Sequence, residues 1–280
     1  MSELMMRCFL TAVLMMGSIF GIGDSKLELI NAKDYPTAKF FFKDLKINES
    51  ILHAILENKT AGNVFTDSIA NPTFMLVCSP AGYVFLGGLP SQASLIKIVS
   101  YLKTLPFVSL VCPEDWGFKD FFVGLDFTFI ERIQFKWRNR FSNLNVFKNR
   151  LQNHYSISRI NEENFPQCNW HSFMLSCYGE CGRFFSNGIG FCVKDQEKIV
   201  SESYGIIAHN KAEIVVVTNP DYYGQNLGAS ISAILLDYLT GQGVEPIWSC
   251  NADNKASLTT AKKLGFEEDC KYYFLRWVKP

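Results

Sequence analysis

A strand, a loop and a helix that follow one another directly between residues 212 and 236 place the strongest constraint on the fold of this chain. The run Glu213-Ile214-Val215-Val216-Val217 is rich in β-branched residues, which favour strands. Pro220 ends that strand, because proline cannot donate to a sheet ladder. A loop that contains glycine then leads into a helix whose first residues, Gly228, Ala229 and Ser230, are small.

The start of this helix is suited to binding a phosphate group. The first backbone N–H groups of a helix have no partners within it, and the helix dipole favours an anion at that end. Small residues let a bulky pyrophosphate approach the backbone closely. The alternative is an ordinary strand–loop–helix connection that binds nothing.

A second informative helix is predicted from Asn254 to Leu264. Asn254 can cap its first turn, and Gly265 stands where glycine commonly ends a helix. By itself this pattern indicates only a well-capped helix.

From about residue 150 onward the sequence predicts the element order β-α-α-β-β-β-α-β-α-β. The first half predicts a mixed α/β region, with one helix over Ser91–Leu105 and another that opens at Pro113.

Both segments, together with the tracts 190–193 and 199–203, resemble the GCN5-related N-acetyltransferases (GNATs). The resemblance is closest to the bacterial subfamily that includes the zwittermicin A resistance protein. It implies a GNAT fold of the α+β (α/β) class, in which a mixed central sheet is flanked by helices. It also implies a diverged GNAT-like accessory domain at 26–145, after an apolar segment at 1–25, and an acetyltransferase domain at 150–280.

The resemblance further implies acetyl-CoA as the cosubstrate. The phosphate loop of GNATs reads Arg/Gln-x-x-Gly-x-Gly/Ala. Here Tyr223 takes the arginine position, Asn226 replaces the first glycine and Gly228 matches. Asparagine tolerates left-handed backbone, so the loop can keep its shape, but the lost arginine removes a cation near the pyrophosphate. A degenerate, non-catalytic module is therefore an alternative. The residues expected to contact acetyl-CoA are Val215, Val216, Val217, Tyr223, Gly224, Gln225, Asn226, Leu227, Gly228, Ala229, Asn254 and Ser257.

The catalytic expectations also follow from the resemblance. An amine with a pKa near ~10.4 must lose a proton before it attacks a thioester, and Glu213 stands where the family places its base. The N–H of Val217 is a candidate oxyanion donor. Tyr272 and Tyr273 are candidates for the acid that protonates the leaving thiolate, with Tyr272 preferred. The alternative for Glu213 is a carboxylate at a strand end on the surface, and Glu202 is the reserve base.

Composition excludes some classes of function. The 27 basic and 27 acidic residues leave no net charge, so the chain has no long-range field to attract nucleic acid or an acidic membrane. The nine cysteines contain no CxxC pair, so no metal site is predicted and reduced, buried thiols are expected. His53 is expected to be a surface or packing residue. The expected acceptor is an amine on a small molecule, and the sequence leaves the oligomeric state open.

The apolar stretch from Cys8 to Ile22 follows Arg7 and allows three interpretations. It resembles the core of a secretory signal, it can be an apolar helix, or it can result from a start codon placed too early. Acetyl-CoA is a cytosolic metabolite, so use of this cosubstrate favours a cytoplasmic enzyme. Secretion remains the alternative if residues 1–23 act as a signal peptide.

Overall fold

The computed structural model describes residues 26–138 and 144–280, and within them twelve strands form one mixed sheet. Across the sheet the strands follow the order β1-β2-β3-β4-β5-β12-β6-β11-β10-β9-β8-β7. In chain order they are β1 (Glu28–Leu29), β2 (Asn63–Thr66), β3 (Phe74–Cys78), β4 (Tyr83–Gly88), β5 (Phe107–Pro113), β6 (Thr128–Trp137), β7 (Tyr155–Arg159), β8 (Gly188–Asp195), β9 (Lys198–Ala208), β10 (Lys211–Thr218), β11 (Glu245–Asn251) and β12 (Phe266–Val278).

Helices cover both faces of this sheet, as the sequence predicted. The α-helices of the described ranges are α1 (Glu49–Leu56), α2 (Gln92–Leu102), α3 (Lys119–Val123), α4 (Leu144–Lys148), α5 (His171–Tyr178), α6 (Cys181–Asn187), α7 (Leu227–Gly241) and α8 (Lys255–Lys263). Short 3-10 helices span Ala32–Phe42, Phe165–Gln167 and Pro220–Tyr222. The first of these packs with α1, α5 and α6 on one face, whereas α2, α3, α7 and α8 pack on the other.

The two halves of the sheet repeat the same arrangement of strands and connecting helix. In each half, two strands pair in parallel, β4 with β5 and β10 with β11, and a helix connects them, α2 or α7. The final strands of the two halves, β6 and β12, pair with each other, and each also pairs with a strand of the other half. As a result β12 lies between β5 and β6, and β6 lies between β12 and β11. The two halves of the chain therefore share the centre of one sheet.

The central pair, β6 and β12, is antiparallel and runs from the partners Phe266 and Trp137 to the partners Arg276 and Thr128. Alternate side chains of a strand point to opposite faces. Tyr272 and Phe274 accordingly join the cluster that contains α1 and α5, whereas Leu275 joins the cluster that contains α2. The division of the chain near residue 145 into two domains stays a prediction.

One local prediction was wrong. Pro113 is the last residue of β5, where it lies opposite Tyr272, and it does not open a helix. Proline is accepted at the end of a strand because its missing N–H is not required there. The helix in this region is the short α3, and Trp116 in the preceding loop stacks on Phe122, with ring centroids 5.6 Å apart.

The expected packing roles of cysteine and of His53 agree with the structure. The eight described cysteines are free thiols, and six of them are buried. His53 stacks on His209, with ring centroids 4.7 Å apart, and so joins α1 to the turn between β9 and β10. Within the described ranges no helix has the length and apolar character needed to cross a membrane. The apolar segment at 1–25, with its three interpretations, lies outside the described residues.

Candidate active site

A groove opens where the parallel strands β10 and β11 separate. Their pairing extends from Lys211 only as far as the partners Ile214 and Trp248, although both strands continue beyond that point. The backbone of Val216–Thr218 is therefore left without a neighbour on the β11 side. The resulting cavity has a volume of about 720 Å³ and is bounded by β10, the loop after it, and the starts of α7 and α8. Trp170, which precedes α5, also lines the groove.

The N-terminus of α7 points into this groove with its amides free. Asn226 adopts the left-handed backbone that the sequence suggested, with φ of 60°, and its side chain makes no capping hydrogen bond. The first intrahelical bond runs from Ser230 N to Asn226 O, so the amides before it have no helical partner. Gly228 allows the helix to lie close to β10, since a Cβ there would stand 3.2 Å from Oγ1 of Thr218.

Most residues expected to contact acetyl-CoA line the groove. Val215 and Gln225 do not: Val215 packs on the core, and the side chain of Gln225 accepts a hydrogen bond of 2.5 Å from the hydroxyl of Tyr155. The side chain of Asn254 caps α8 by accepting from Ser257 N at 3.0 Å. Those that line the groove are Val216, Val217, Tyr223, Gly224, Asn226, Leu227, Gly228, Ala229, Asn254 and Ser257.

Two lysines in the groove were missed by the sequence analysis. Lys255 and Lys263 lie at the two ends of α8 and both line the cavity. The Nζ of Lys263 lies 3.5 Å from Oδ1 of Asn226, beside the start of α7. Their spacing of eight residues, slightly more than two helical turns, was the available signal, because residues i and i+8 lie on the same side of a helix.

Glu213 is buried below the groove, on the face of β10 opposite α7. Its side chain is 3% exposed, and burial raises the pKa of its carboxyl to about 7, against the opposing effects of a hydrogen bond from Ser249 and the charge of Arg132. Its Oε2 has no hydrogen-bond partner among the described residues. A carboxylate with a free oxygen and a pKa near neutrality is able to accept a proton under physiological conditions.

Tyr272 lies on the same face of the sheet as Glu213 and is fully buried. Its hydroxyl accepts a hydrogen bond of 2.9 Å from Nε of Arg132, and Nη1 of Arg132 donates to Asn251 at 2.6 Å. Burial raises the pKa of the Tyr272 phenol, although the charge of Arg132 opposes the shift. Because the oxygen accepts from arginine, the tyrosine retains its own proton for donation elsewhere.

Tyr273 points to the opposite face of the sheet. It packs in the cluster formed with α2, its ring centroid lies 5.3 Å from that of Phe129, and the ammonium of Lys119 lies over its ring. The structure therefore places Tyr272 beside Glu213 and separates Tyr273 from both residues.

Glu202, the reserve base, serves the loop before α5. Its buried carboxylate accepts hydrogen bonds from the backbone N–H of Asn169 at 3.0 Å and from that of Trp170 at 2.6 Å. Both oxygens are thus engaged, and they hold Trp170, which lines the groove. Glu202 therefore stabilises the loop before α5.

The first half of the chain supplies side chains to the surroundings of Glu213. Arg132 comes from β6, and Asn48, which precedes α1, donates from Nδ2 to Oγ of Ser249 at 3.2 Å. The backbone N–H of Asn48 donates to Oε1 of Gln134 at 3.0 Å, which fixes this buried residue in place. Neither Asn48 nor Arg132 was identified from sequence.

A mixed sheet with two parallel strands that separate, and a helix N-terminus that faces the gap, is the architecture of an N-acetyltransferase. The chain belongs to the GNAT acetyltransferase family, whose model matches residues 39–275. The GNAT fold predicted from sequence is thereby confirmed.

Individual relatives agree with this assignment. The uncharacterized N-acetyltransferase YdfB of Bacillus subtilis (strain 168) is 25% identical over 267 residues, which cover 89% of this chain and 97% of YdfB. A GCN5-related N-acetyltransferase-like protein from Streptococcus suis 89/1591 superimposes with a TM-score of 0.71 at 23% identity, over 87% of this chain and 98% of that one. A tandem GNAT protein from the clavulanic acid biosynthesis pathway gives a TM-score of 0.63 at 11% identity, over 90% and 98%.

Proposed function

We propose that this N-acetyltransferase transfers an acetyl group from acetyl-CoA to an amine of a small molecule, with Glu213 as base and Tyr272 as acid. The observation that carries the proposal is the groove between β10 and β11, which the start of α7 lines and which begins where β10 and β11 cease to pair, one residue after the buried Glu213. An enzyme of this kind would act in the cytoplasm, where acetyl-CoA is available.

The groove fits acetyl-CoA in its chemistry. The free amides at the start of α7 suit the pyrophosphate, because the helix dipole favours an anion at that end. The unpaired backbone of Val216 and Val217 can bond the amides of the pantetheine arm in the manner of an added strand. Val217 N–H is the candidate donor to the thioester oxygen.

The proposed reaction is a direct attack. The lone pair of the neutral amine attacks the thioester carbonyl carbon, the bond from that carbon to sulfur breaks, and CoA leaves as a thiolate. The amine proton passes to the free oxygen of Glu213, directly or through water, and the hydroxyl of Tyr272 protonates the thiolate. Arg132 acts as a positioning residue, since its Nε donates to the Tyr272 oxygen and so leaves the phenolic proton available for donation.

The first test is binding and turnover with acetyl-CoA. Wild-type protein at ~100 times the dissociation constant of acetyl-CoA should gain roughly 2.7 kcal/mol in the free energy of unfolding. A set of small-molecule amines is then screened for release of CoA thiol. For an accepted amine, kcat/KM should rise through about pH 7, where Glu213 deprotonates, and Glu213→Gln should lower turnover by ~10²-fold or more.

The altered phosphate loop gives a competing function. Tyr223, at the position where the family has a cation, is 68% exposed and carries no charge, which favours a module that has kept the fold and lost catalysis. A wild-type protein that shows no thermal shift at millimolar acetyl-CoA would support this competing function and contradict the proposed one.

A further inference from the structure

We propose that Lys263, on α8, supplies the cation for the pyrophosphate of acetyl-CoA that the phosphate loop lacks at Tyr223. The proposal rests on acetyl-CoA as the cosubstrate and assigns a role to a residue outside the phosphate loop. Lys263 lies in the groove, and its Nζ is 3.5 Å from Oδ1 of Asn226, the residue that precedes α7. The ammonium group and the free amides at the start of α7 therefore face the same space.

The charge of the groove supports this role. In a chain with equal numbers of acidic and basic residues, Lys255 and Lys263 are the charged side chains among the described residues that line the cavity. Within the described ranges neither lysine has a carboxylate partner. A groove with two cations and no anion is suited to a polyanionic ligand, and unpaired ammonium groups keep their full charge for it.

Position along α8 distinguishes the two lysines. At a rise of ~1.5 Å per residue, eight residues separate them by roughly 12 Å along the helix axis. Lys255 begins the helix, near Trp248 and the separating strands, where the pantetheine arm would lie. Lys263 ends the helix beside Asn226, so it is the one that meets the pyrophosphate.

The neighbouring Lys262 is a matched control. It is an exposed lysine in the same turn of α8, but its Nζ pairs with Oε1 of Glu268 at 2.8 Å and it does not line the groove. Substitution of either lysine by glutamine preserves most of the side-chain length on an exposed helix surface, so both variants should fold.

The experiment measures dissociation constants by calorimetry for three probes: acetyl-CoA, its 3′-dephospho form, and S-acetylpantetheine, which has no phosphate. Lys263→Gln should raise the dissociation constant of acetyl-CoA about tenfold, as expected for loss of one charged contact, and that of the dephospho form to the same extent. It should leave S-acetylpantetheine unchanged. Lys262→Gln should change none of the three.

A compensating variant tests whether a cation at position 223 can replace the one at position 263. Tyr223→Arg, which restores the family's cation, should return the affinity of Lys263→Gln for acetyl-CoA toward that of the wild type. Equal affinities of wild type and Lys263→Gln for acetyl-CoA would overturn the proposal, as would a loss that disappears with the dephospho form, because Lys263 would then contact the 3′-phosphate. If the wild-type protein binds no acetyl-CoA, the proposed function itself fails, and that result differs from the other two.

Discussion

At the scale of single residues, the chemistry depends on what surrounds Glu213. A carboxylate on β10 would be an ordinary acid in water, but burial raises the pKa of its carboxyl to about 7 from an ordinary value of 4.5. The same burial brings it near the charge of Arg132 and the hydroxyl of Ser249, which limit the shift. The residue therefore remains ionisable in the neutral pH range.

Burial of Glu213 should also appear in the stability of the protein. The folded state favours the protonated carboxyl, so its contribution to stability is fully present below pH 4.5 and is lost as the pH rises through about 7. This loss is on the order of 3 kcal/mol. Urea unfolding at pH 5 and pH 8 should therefore show that Glu213→Gln gains stability relative to the wild type at the higher pH. Glu267→Gln, at an exposed position of β12, is the control, and an equal pH dependence in wild type and Glu213→Gln would argue against a buried, titrating Glu213.

The two adjacent tyrosines should differ in their effect on catalysis. Tyr272 lies beside Arg132 on the face of Glu213, whereas Tyr273 packs on the opposite face. With an accepted amine, Tyr272→Phe should lower kcat by ~10²-fold and Tyr273→Phe should leave it nearly unchanged. Tyr273→Phe is the matched control for a lost hydroxyl on the same strand. Full activity in both variants would remove tyrosine from the mechanism.

At the scale of elements, the loop before α5 depends on Glu202. The carboxylate accepts hydrogen bonds from the backbone N–H groups of Asn169 and Trp170, and Trp170 lines the groove. Glu202→Ala should cost ~2–3 kcal/mol, the usual range for lost hydrogen bonds to a charged group, and should remove the hydrogen-exchange protection of these two amides. Glu202→Gln keeps one acceptor oxygen and should lose less. Unchanged protection of both amides in Glu202→Ala would show that other contacts hold the loop.

Much of the second half could be predicted at this scale. The predicted element order from residue 150 agrees with the structure. Strand β10, the start of α7 and helix α8 were predicted within two residues, because their signals are local: a β-branched run, a capping asparagine and a glycine after the helix. The left-handed Asn226 was also suggested from sequence. The groove itself follows from these elements once β10 and β11 separate.

The partners of the catalytic candidates could not be predicted in this way. Arg132 lies 140 positions before Tyr272, and Asn48 lies 201 positions before Ser249. Contacts at such separations are set by the order of strands in the sheet, which no local pattern encodes. The wrong prediction of a helix at Pro113 has the same cause, because this residue lies in a strand through its pairing with Tyr272, 159 positions further along the chain.

At the scale of the whole molecule, the shared centre of the sheet bears on the predicted division near residue 145. Residues 144–280 alone would lack β6, which separates β11 from β12, and residues 26–138 alone would lack β12. Two chains, 1–140 and 141–280, should each be poorly folded when expressed alone, because unpaired strand edges remain exposed.

Co-expression of the two chains tests whether they recover the folded structure together. The two chains should assemble into a complex with the size, circular dichroism and acetyl-CoA affinity of the intact protein. A monomeric 141–280 chain that unfolds cooperatively on its own would instead establish residues 150–280 as an independent domain.

The positions of β6 and β12 in the sheet also affect how the chain folds during synthesis. Chains are synthesised from the N-terminus, and domains generally fold as they emerge from the ribosome. Here β12 is synthesised after the other eleven strands of the described sheet, yet the first half needs it beside β5. Neither half can complete its hydrogen bonding until β12 has been synthesised. The edge of β5 therefore stays unpaired until β12 emerges, and an unpaired strand edge can pair with another chain.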